Sequence, residues 1–523
     1  MSVRMNTFER LGRGPSDPPI LSGDAAPEAA ARSGKADGDA SAPPVVTPAP
    51  LGRNEVRTIL VSLMLTMFLA ALDQTIVATA LPTIGRQFHE VTTLSWVITA
   101  YLLASTAVAP LFGTLSDIYG RRAMIVTALG LFVAGSVLCA LAPNMAALIV
   151  ARGVQGIGGG GILPVVQTVI SDVVTPRERG QYQAYFSGVW TAAGIAGPVL
   201  GGVFAEHLHW SMIFWINVPL GFVSLALLLP KMGKIPVFHR RRRVDWTGGL
   251  LLMASAVVFL LVLTWGGNRF AWASPQIAAM LGASLVLATV FVRHARKTSE
   301  PFLPLSLMGG PVVPYAIAAG ALALGAIIGI TVHLPLYYQV VHHLSASESG
   351  LALIPIAAIS TGGAALAGRS MTRTLHYKRV AVLGTTFAAV VAAILAVVTP
   401  PLWPLLTLLS LFAFGLGTIF PVSVVSLQNA VARQQVGTVT GAMNFFRALV
   451  SSFAVAAFAA ILLMALGTDA SIGNGGGGRV GVISASDLTT AFRYVFAATA
   501  AMLAGAALLL VRIEERPLTG PPA

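Results

Sequence analysis

The sequence predicts an all-α polytopic membrane protein with fourteen transmembrane helices, and three observations carry this prediction. Hydrophobic residues make up 55% of the 523 residues and charged residues only 10%, whereas soluble domains contain roughly 25% charged residues. The apolar residues form runs of about 20, the length that crosses the hydrocarbon core of a bilayer as a helix. Short basic clusters separate these runs. So few charges cannot cover a water-facing surface, so we expect lipid to surround most of the chain.

The apolar runs define the predicted spans, which we number from the N-terminus. The even number of spans places both termini on the same side of the membrane. The spans are expected at residues 57–84, 94–113, 123–142, 146–171, 183–205, 211–230, 247–266, 276–294, 314–338, 350–368, 379–399, 402–424, 438–466 and 489–512.

The basic residues support this number of spans. With a cytoplasmic N-terminus, the cytoplasmic segments after residue 50 hold 22 Lys and Arg, and the opposite side holds four. This asymmetry follows the positive-inside rule, and one span more or fewer would invert every later loop and spoil it. The net charge of +13 therefore reflects topology and does not indicate nucleic-acid binding. A single cysteine, Cys139, excludes an intramolecular disulfide.

The spans also suggest how the chain is organised. Leu81-Pro82 near the end of span 1 and Leu334-Pro335 near the end of span 9 form a weak internal repeat, as in many large transporters. We therefore expect two six-helix halves, with spans 7 and 8 inserted between them. The expected parts are a disordered cytoplasmic tail (1–54), an N-terminal half (55–230), a basic linker with the inserted helices (231–300), a C-terminal half (301–512) with an outer loop (467–488), and a cytoplasmic tail (513–523).

One acidic residue stands out by its depth. Of the 20 Asp and Glu residues, only Asp73 lies well inside an apolar run, from Thr58 to Ile84. A charged carboxylate there costs about 2.5–3.5 kcal/mol on insertion scales, and protonation removes most of that cost. A proton-coupling site requires such an acid, one that is readily neutralised within the membrane. The other interpretation is a structural acid, hydrogen-bonded between helices.

Two arginines lie deep inside predicted spans. Arg152 in span 4 falls in the same half of the membrane as Asp73, because spans 1 and 4 run in opposite directions. We expect Arg152 to be an electrostatic partner that tunes Asp73, with a snorkelling or carbonyl-bound side chain as the alternative. Arg447 in span 13 follows Asn444, Phe445 and Phe446, and for Arg447 we favour a structural role.

Glycines are concentrated in spans 4 and 5. In span 5, small residues at helical spacing clear one helix face for a neighbouring helix, and a proline adds a kink or a loosened turn. In span 4, the glycine run superficially resembles a dinucleotide-binding loop, but no strand precedes it, so we interpret it as a packing surface. The span-5 residues are Gly194, Gly197, Pro198, Gly201 and Gly202, and the span-4 residues are Gly156 and Gly158 to Gly161.

The segment between spans 2 and 3 is predicted to form a loop that acts as a conformational latch. Its glycines, Gly113 and Gly120, permit a tight turn, and Asp117 can cap the following helix or pair with a base. We expect Arg121 and Arg122 to face the cytoplasm.

Taken together, these motifs resemble the major facilitator superfamily, in particular its fourteen-span drug:proton antiporters of the EmrB/QacA type. The resemblance covers about residues 55–512. The second copy of the latch, from Gly368 to Arg379, lacks the Asp and the second Gly. Besides the latch and the span-5 glycines, the matching residues are Leu72 to Val77, Ala80 to Pro82, Arg152, Gln155, Gly156, Gly158, Trp210, Phe214, Ile216, Asn217, Pro219, Leu334 to Tyr337 and Gln339.

The resemblance implies a proton-coupled antiporter that exports lipophilic small molecules by alternating access, with Asp73 and Arg152 in proton coupling. It implies no metal or cofactor, the proton gradient being the energy source. We expect a lipophilic or cationic substrate, contacts with membrane lipids, and a location in a bacterial inner membrane with both termini cytoplasmic. A periplasmic adaptor and an outer-membrane channel are candidate partners. Candidate cavity residues are Gln74, Tyr101, Gln155, Trp190, Trp215, Asn217, Tyr337, Gln339, Asn444 and Phe445.

Other functional classes stay open at this stage. The cargo can be a specific metabolite, siderophore or lipid, moved by an exporter or an importer. The glycine motif of span 5 speaks against an importer or uniporter. A membrane enzyme or receptor is a further alternative, against which stand the lack of an HExxH pair and the lack of Ser–Lys or Asp–Asp constellations within the spans.

Overall fold

A computed structural model describes residues 52–90, 93–233, 243–374, 376–466 and 484–518. The regular structure of these residues is helical, apart from an isolated bridge between Gly266 and Phe270. The expected N-terminal tail and most of the expected outer loop lie outside the described residues. Within the described residues, fourteen helices are long and apolar enough to cross a membrane.

We label the helices α1 to α14 in chain order, so that each label equals the number of its predicted span. A short helix, Leu305–Met308, and a 3-10 turn, Arg433–Gln435, lie outside this numbering. The helices are α1 Arg53–Phe88, α2 Trp96–Tyr119, α3 Arg121–Ala140, α4 Met145–Val173, α5 Pro176–His207, α6 Met212–Trp215 with Asn217–Met232, α7 Trp246–Trp265, α8 Pro275–Lys297, α9 Val313–Val341, α10 Ala346–Leu351 with Ile354–Arg373, α11 Lys378–Val397, α12 Leu402–Gly417 with Ile419–Asn429, α13 Val436–Ala465 and α14 Ala485–Arg512.

Three of these helices are interrupted at a point that proline explains. The first segments of α6, α10 and α12 end at Trp215, Leu351 and Gly417. Each of these residues precedes a proline by four positions, Pro219, Pro355 and Pro421. Proline lacks the N–H that would bond the carbonyl four residues earlier, and its ring crowds that carbonyl. The chain therefore bends there and resumes a second helical segment.

The helices pack in two groups. Helix α1 packs on α5 and α6, and α4 on α2 and α3, whereas α9 packs on α13 and α14, α11 on α14, and α10 on α12. The inserted helices α7 and α8 pack on each other, and α7 also contacts α2 and α13. The two groups meet where α5 packs on α10 and α2 packs on α13. The division of the chain into domains stays a prediction, because residues 48–523 form one compact unit.

The glycine run of α4 is a packing surface, as predicted. A side-chain carbon at Gly156 would come within 2.6 Å of the carbonyl oxygen of Tyr101 in α2. A side-chain carbon at Gly158 would overlap the backbone of Phe132 in α3. The glycines therefore let α4 pack closely on α2 and α3 at once. This close packing fixes the positions of the other α4 side chains that lie at the depth of these glycines.

Candidate functional site

The centre of the candidate site is a buried ion pair between α1 and α4. The Arg152 Nη1 atom lies 2.7 Å from Asp73 Oδ2, and the two side chains are 1% and 0% exposed. The sequence-based expectation that these residues are partners thus agrees with the structure, which also shows Arg152 Nε donating to the Val97 carbonyl oxygen at 3.0 Å. Arg152 is therefore both paired and carbonyl-bound.

Amide side chains complete the coordination of the Asp73 carboxylate. Its Oδ1 atom accepts hydrogen bonds from Gln155 Nε2 at 2.8 Å and from Asn217 Nδ2 at 3.0 Å. The hydroxyl of Ser136 in α3 lies within hydrogen-bonding distance of both amides, at 2.7 Å and 3.2 Å. Side chains of α4 and α6 thus bind the carboxylate of α1 directly, and Ser136 of α3 is linked to it through the two amides. A change in the charge of the carboxylate therefore acts on all four helices.

Aromatic rings flank the guanidinium of Arg152. Its Cζ atom lies 4.4 Å from the centroid of the Tyr101 ring and 5.7 Å from that of Phe214. Cation–π attraction of this kind is strongest where water is excluded, and both rings are buried. Gly159 leaves room for the Tyr101 hydroxyl, which a side chain at that position would overlap.

The candidate cavity residues fall in several places. The structure brings Tyr101, Gln155 and Asn217 together at the Asp73 centre, where they are buried. Gln74 and Trp215 are partly exposed, and Trp190 and Gln339 are exposed. Elsewhere, Tyr337 packs on Phe492 with centroids 4.7 Å apart, Phe445 packs on Phe446 at 5.3 Å, and Asn444 donates to Gln167 at 2.9 Å.

A second polar centre joins α2 to α13. Asp117 accepts hydrogen bonds from the backbone N–H groups of Gly437 at 3.0 Å and Thr438 at 2.7 Å, and from the Thr438 hydroxyl at 2.8 Å. Its carboxylate therefore caps the N-terminus of α13, where the helix dipole favours negative charge. The sequence offered two roles for Asp117, a cap on the following helix, α3, or a pair with a base. The structure places the cap on α13, with 320 residues between the two partners in the chain, and pairs Asp117 with the base Arg121.

The charges of this latch form a buried triad. Arg121 Nη1 lies 2.6 Å from Asp117 Oδ1, and Arg121 Nε lies 2.9 Å from Asp172 Oδ2. Arg121 is 7% exposed, so it does not face solvent as expected, whereas Arg122 is exposed. The side of the membrane that Arg122 faces stays a prediction. The expected loop is also shorter than predicted, because α2 continues to Tyr119 and Gly120 alone, with φ +90°, turns the chain into α3.

The two groups of helices approach each other closely where glycines face each other. A side-chain carbon at Gly113 would overlap the carbonyl oxygen of Gly437, and one at Gly368 would overlap that of Gly180. A further contact joins Thr191 of α5 to the Ala357 carbonyl oxygen of α10 at 3.0 Å. We call the end at which α2 ends and α13 begins the basic end of the bundle. The glycine contacts, α2 with α13 and α5 with α10, hold the halves together towards this end.

The glycines of α5 serve different purposes. Side-chain carbons at Gly197 and Gly201 would overlap the hydroxyls of Thr75 and Thr79 in α1, whereas Gly194 and Gly202 have no neighbouring atom within 4 Å of that position. Only two of the glycines therefore permit the close approach to α1 that the sequence suggested for all of them. The helix runs without interruption through Pro198.

Sequence reasoning missed Asp172 as a buried acid. Its side chain is 2% exposed and pairs with Arg121, although its position near a span end suggested a solvated residue. The direction of the neighbouring helices could have indicated this ion pair. Helix α3 begins with Arg121 at the end where α4 finishes with Asp172, so antiparallel packing brings the two charges together. Ser136 was also missed, because a single serine in an apolar run carries no signal.

Comparison with known proteins agrees with this architecture. Residues 63–455 match the family model described as the Major Facilitator Superfamily. The chain is 35% identical over 414 residues to the efflux pump FUS6 of Gibberella moniliformis, covering 77% of this chain and 73% of that protein. It is 30% identical over 418 residues to the multidrug transporter protein MdtP of Bacillus subtilis, covering 79% and 76%.

Solved structures share the fold. The human organic anion transporter MFSD10 aligns with a TM-score of 0.61 at 15% identity, covering 87% of this chain and 99% of that chain. The proton:xylose symporter XylE aligns with a TM-score of 0.61 at 13% identity, covering 90% and 98%. The relatives include fungal and bacterial proteins, so the expected bacterial inner membrane stays a prediction. The multi-pass helical fold is confirmed, and this chain belongs to the Major Facilitator Superfamily.

Proposed function

We propose that the protein exports lipophilic small molecules in exchange for protons, by alternating access between its two halves. The observation that carries this proposal is the buried Asp73–Arg152 ion pair. A single proton can cancel the negative charge of its Asp73 carboxylate. Relatives named as an efflux pump and a multidrug transporter support the direction of transport. The buried polar groups suit binding of a proton and a solute, and we propose no covalent chemistry.

The proton acts by changing the partners of Arg152. A protonated Asp73 no longer attracts the guanidinium as a carboxylate does, and one of its oxygens becomes a donor. Arg152 then keeps its bonds to the Val97 carbonyl and the Gln155 side chain but loses its counter-ion. The electrostatic attraction between α1 and α4 changes when this counter-ion is lost. This change biases the equilibrium between the two access states.

The latch holds one of these states. The contacts of Asp117 with α13 and of Arg121 with the 3-10 turn before α13, together with the glycine contacts, close the bundle at its basic end. We propose that this end faces the cytoplasm, as the positive-inside rule indicates, and that both termini lie there. The conformation described here is then the outward-facing state, in which a proton reaches Asp73 and the cargo leaves.

The test is dye accumulation in everted membrane vesicles with an acidic lumen. The dyes are ethidium, Nile red and anilinonaphthalene sulfonate, which differ in charge. Wild-type vesicles should accumulate at least one dye and should lose it when nigericin collapses the pH gradient. Asp73→Asn should abolish the gradient-driven part. The matched control Asp487→Asn changes an exposed acid at the start of α14 and should behave as wild type.

Two results would count against the proposal. Gradient-driven accumulation at the wild-type level in Asp73→Asn would remove Asp73 as the proton carrier. Dye or solute movement into the cell together with protons would favour the importer alternative over an exporter.

A further inference from the structure

Among the residues that the structure describes, a buried arginine of α13 has no counter-ion. Arg447 of α13 is 6% exposed. Its Nη2 atom donates to the Ser423 hydroxyl of α12 at 2.7 Å, and its Cζ atom lies 5.7 Å from the Phe420 ring centroid. The Nε atom has no hydrogen-bond partner. Within the part of the chain that the structure describes, no carboxylate forms an ion pair with this guanidinium.

Two other buried arginines pair with acids: Arg152 with Asp73, and Arg121 with both Asp117 and Asp172. A third, Arg179, donates from its Nε and Nη2 atoms to the carbonyl oxygens of Val174 and Ser171, whereas the Nε atom of Arg447 has no such acceptor. The three buried acids named here all lie in the N-terminal half and are already paired. A charge buried without a partner is strongly unfavourable, so a position that keeps one calls for a negative charge from outside the chain.

The backbone of Gly320 in α9 lies close to the Nε and Nη2 atoms of Arg447. A side-chain carbon at Gly320 of α9 would come within 2.9 Å of Arg447 Nη2 and 3.1 Å of Nε, so any larger residue would crowd these donors. Arg447 follows Val436, the first residue of α13, by eleven positions, which places it about 16 Å along the helix. The donors therefore lie deep within the bundle and not at its surface.

Arg447 also lies close to the boundary between the halves. Asn444, one helical turn earlier in α13, donates to Gln167 of α4 at 2.9 Å. Gln428 of α12 donates to the Gln167 carbonyl oxygen at 3.4 Å. A ligand bound at Arg447 would therefore touch the region whose contacts must change when the halves move.

We propose that Arg447 binds the carboxylate of an amphipathic organic acid, which makes such acids the substrate class of the transporter. This inference rests on the proposed efflux function and names its cargo. The planar fork of a guanidinium matches the two oxygens of a carboxylate, and the free Nε and the Ser423-bound Nη2 supply donors on one edge. Phe420 offers apolar surface for the body of the acid. Permanently cationic cargo is disfavoured by the same charge.

The experiment measures binding of pyrenebutyrate and of its uncharged methyl ester to the full-length protein in phosphatidylcholine nanodiscs. Energy transfer from tryptophan to pyrene reports binding. The variants are Arg447→Gln and Arg447→Lys, with Arg493→Gln as the matched control, because Arg493 of α14 is exposed and donates to the Ala396 carbonyl oxygen. Acetate serves as a competitor that has the carboxylate but no apolar body.

Wild type and Arg493→Gln should bind the acid at least about tenfold more tightly than the ester, since a buried charge pair is at stake. Arg447→Gln should weaken binding of the acid by about 30-fold and leave binding of the ester unchanged. Arg447→Lys should retain part of the affinity because it keeps the charge but not the fork. Acetate should compete weakly in wild type and in Arg493→Gln, and not in Arg447→Gln.

Thermal unfolding separates this role from a structural one. Arg447→Gln removes an unpaired buried charge, so its unfolding temperature should equal or exceed that of wild type. Equal affinities of wild type and Arg447→Gln for the acid, or a destabilised variant with an unchanged preference for the acid, would overturn the proposal. The nanodisc carries no proton gradient, so an intact anion preference without proton-coupled efflux would contradict the proposed function alone.

Discussion

Removal of the Asp117 carboxylate is the perturbation whose effect the structure specifies most closely. In Asp117→Ala, α13 loses the acceptor of the Gly437 and Thr438 N–H groups and of the Thr438 hydroxyl. All three bonds cross between the halves. They must break when the basic end opens, so they stabilise only the closed conformation.

The magnitude follows from these three bonds. A hydrogen bond to a charged group contributes about 1.5–3 kcal/mol, but the three share one carboxylate and their contributions are not additive. Water also replaces part of each bond in the open state. A loss of about 3 kcal/mol for the closed conformation is therefore expected, which changes the population ratio of the two states about 150-fold. Asp117→Asn keeps one acceptor oxygen and should shift the ratio less.

Double electron–electron resonance measures this shift as the distance between two spin labels placed across the basic end. Labels on Ala123→Cys in α3 and Gln434→Cys before α13 occupy exposed positions in the two halves, in a background in which Cys139, the single cysteine, is replaced by Ala. Wild type should give mainly the short distance, and Asp117→Ala mainly the long one, with Asp487→Asn as a control that behaves as wild type. An unchanged distance distribution in Asp117→Ala would refute the reasoning.

Two further predictions concern packing and pH. Gly197→Leu should overlap the α1 side chains and cost about 1–3 kcal/mol of stability, whereas Gly202→Ala, which meets no atom, should change the unfolding temperature little in the same thermal melt. At the start of α7, burial alone would raise the pKa of the Asp245 carboxyl, but hydrogen bonds from Gly248 N, the His294 ring and Phe302 N together hold that pKa below its ordinary value. A carboxyl with a lowered pKa stabilises the fold above its unfolded-state pKa and loses this effect as the pH falls through its folded-state pKa. After the intrinsic pH dependence of exchange is subtracted, hydrogen exchange of the first turn of α7 should therefore be slow near about pH 7. The exchange rate should rise as the pH falls below the ordinary pKa range of an aspartate. In Asp245→Asn, exchange should be fast and less dependent on pH.

The sequence was sufficient for the helices and for the charges that define the centre. Hydropathy placed α4 at residues 146–171, and the helix runs from Met145 to Val173, because lipid requires each crossing segment to satisfy its own backbone. Depth along antiparallel spans was sufficient to pair Asp73 with Arg152, since few charges are available inside a membrane and each needs a partner.

The remainder depends on contacts between distant parts of the chain. Nothing local to Asp117 indicates that its carboxylate caps α13, because the same residue pattern could cap α3 or bind a neighbouring base. The Asn217 and Ser136 contacts are equally hidden, since amides and hydroxyls occur in many spans without facing an acid. Arg447 shows the opposite case: its position was evident from the sequence, but only the structure shows that no acid among the described residues pairs with it.

The central claim is that Asp73 couples solute movement to proton movement in the opposite direction. Its most direct test uses proteoliposomes that contain an internal pH indicator and whose membrane potential is clamped. A gradient of a permanently charged dye, the one that is transported fastest, is imposed from outside, and the pH of the lumen is followed. Such a dye carries no proton, so wild type should make the lumen alkaline as dye enters. Asp73→Asn should move dye without any pH change. The same alkalinisation in Asp73→Asn, or acidification with wild type, would contradict the account.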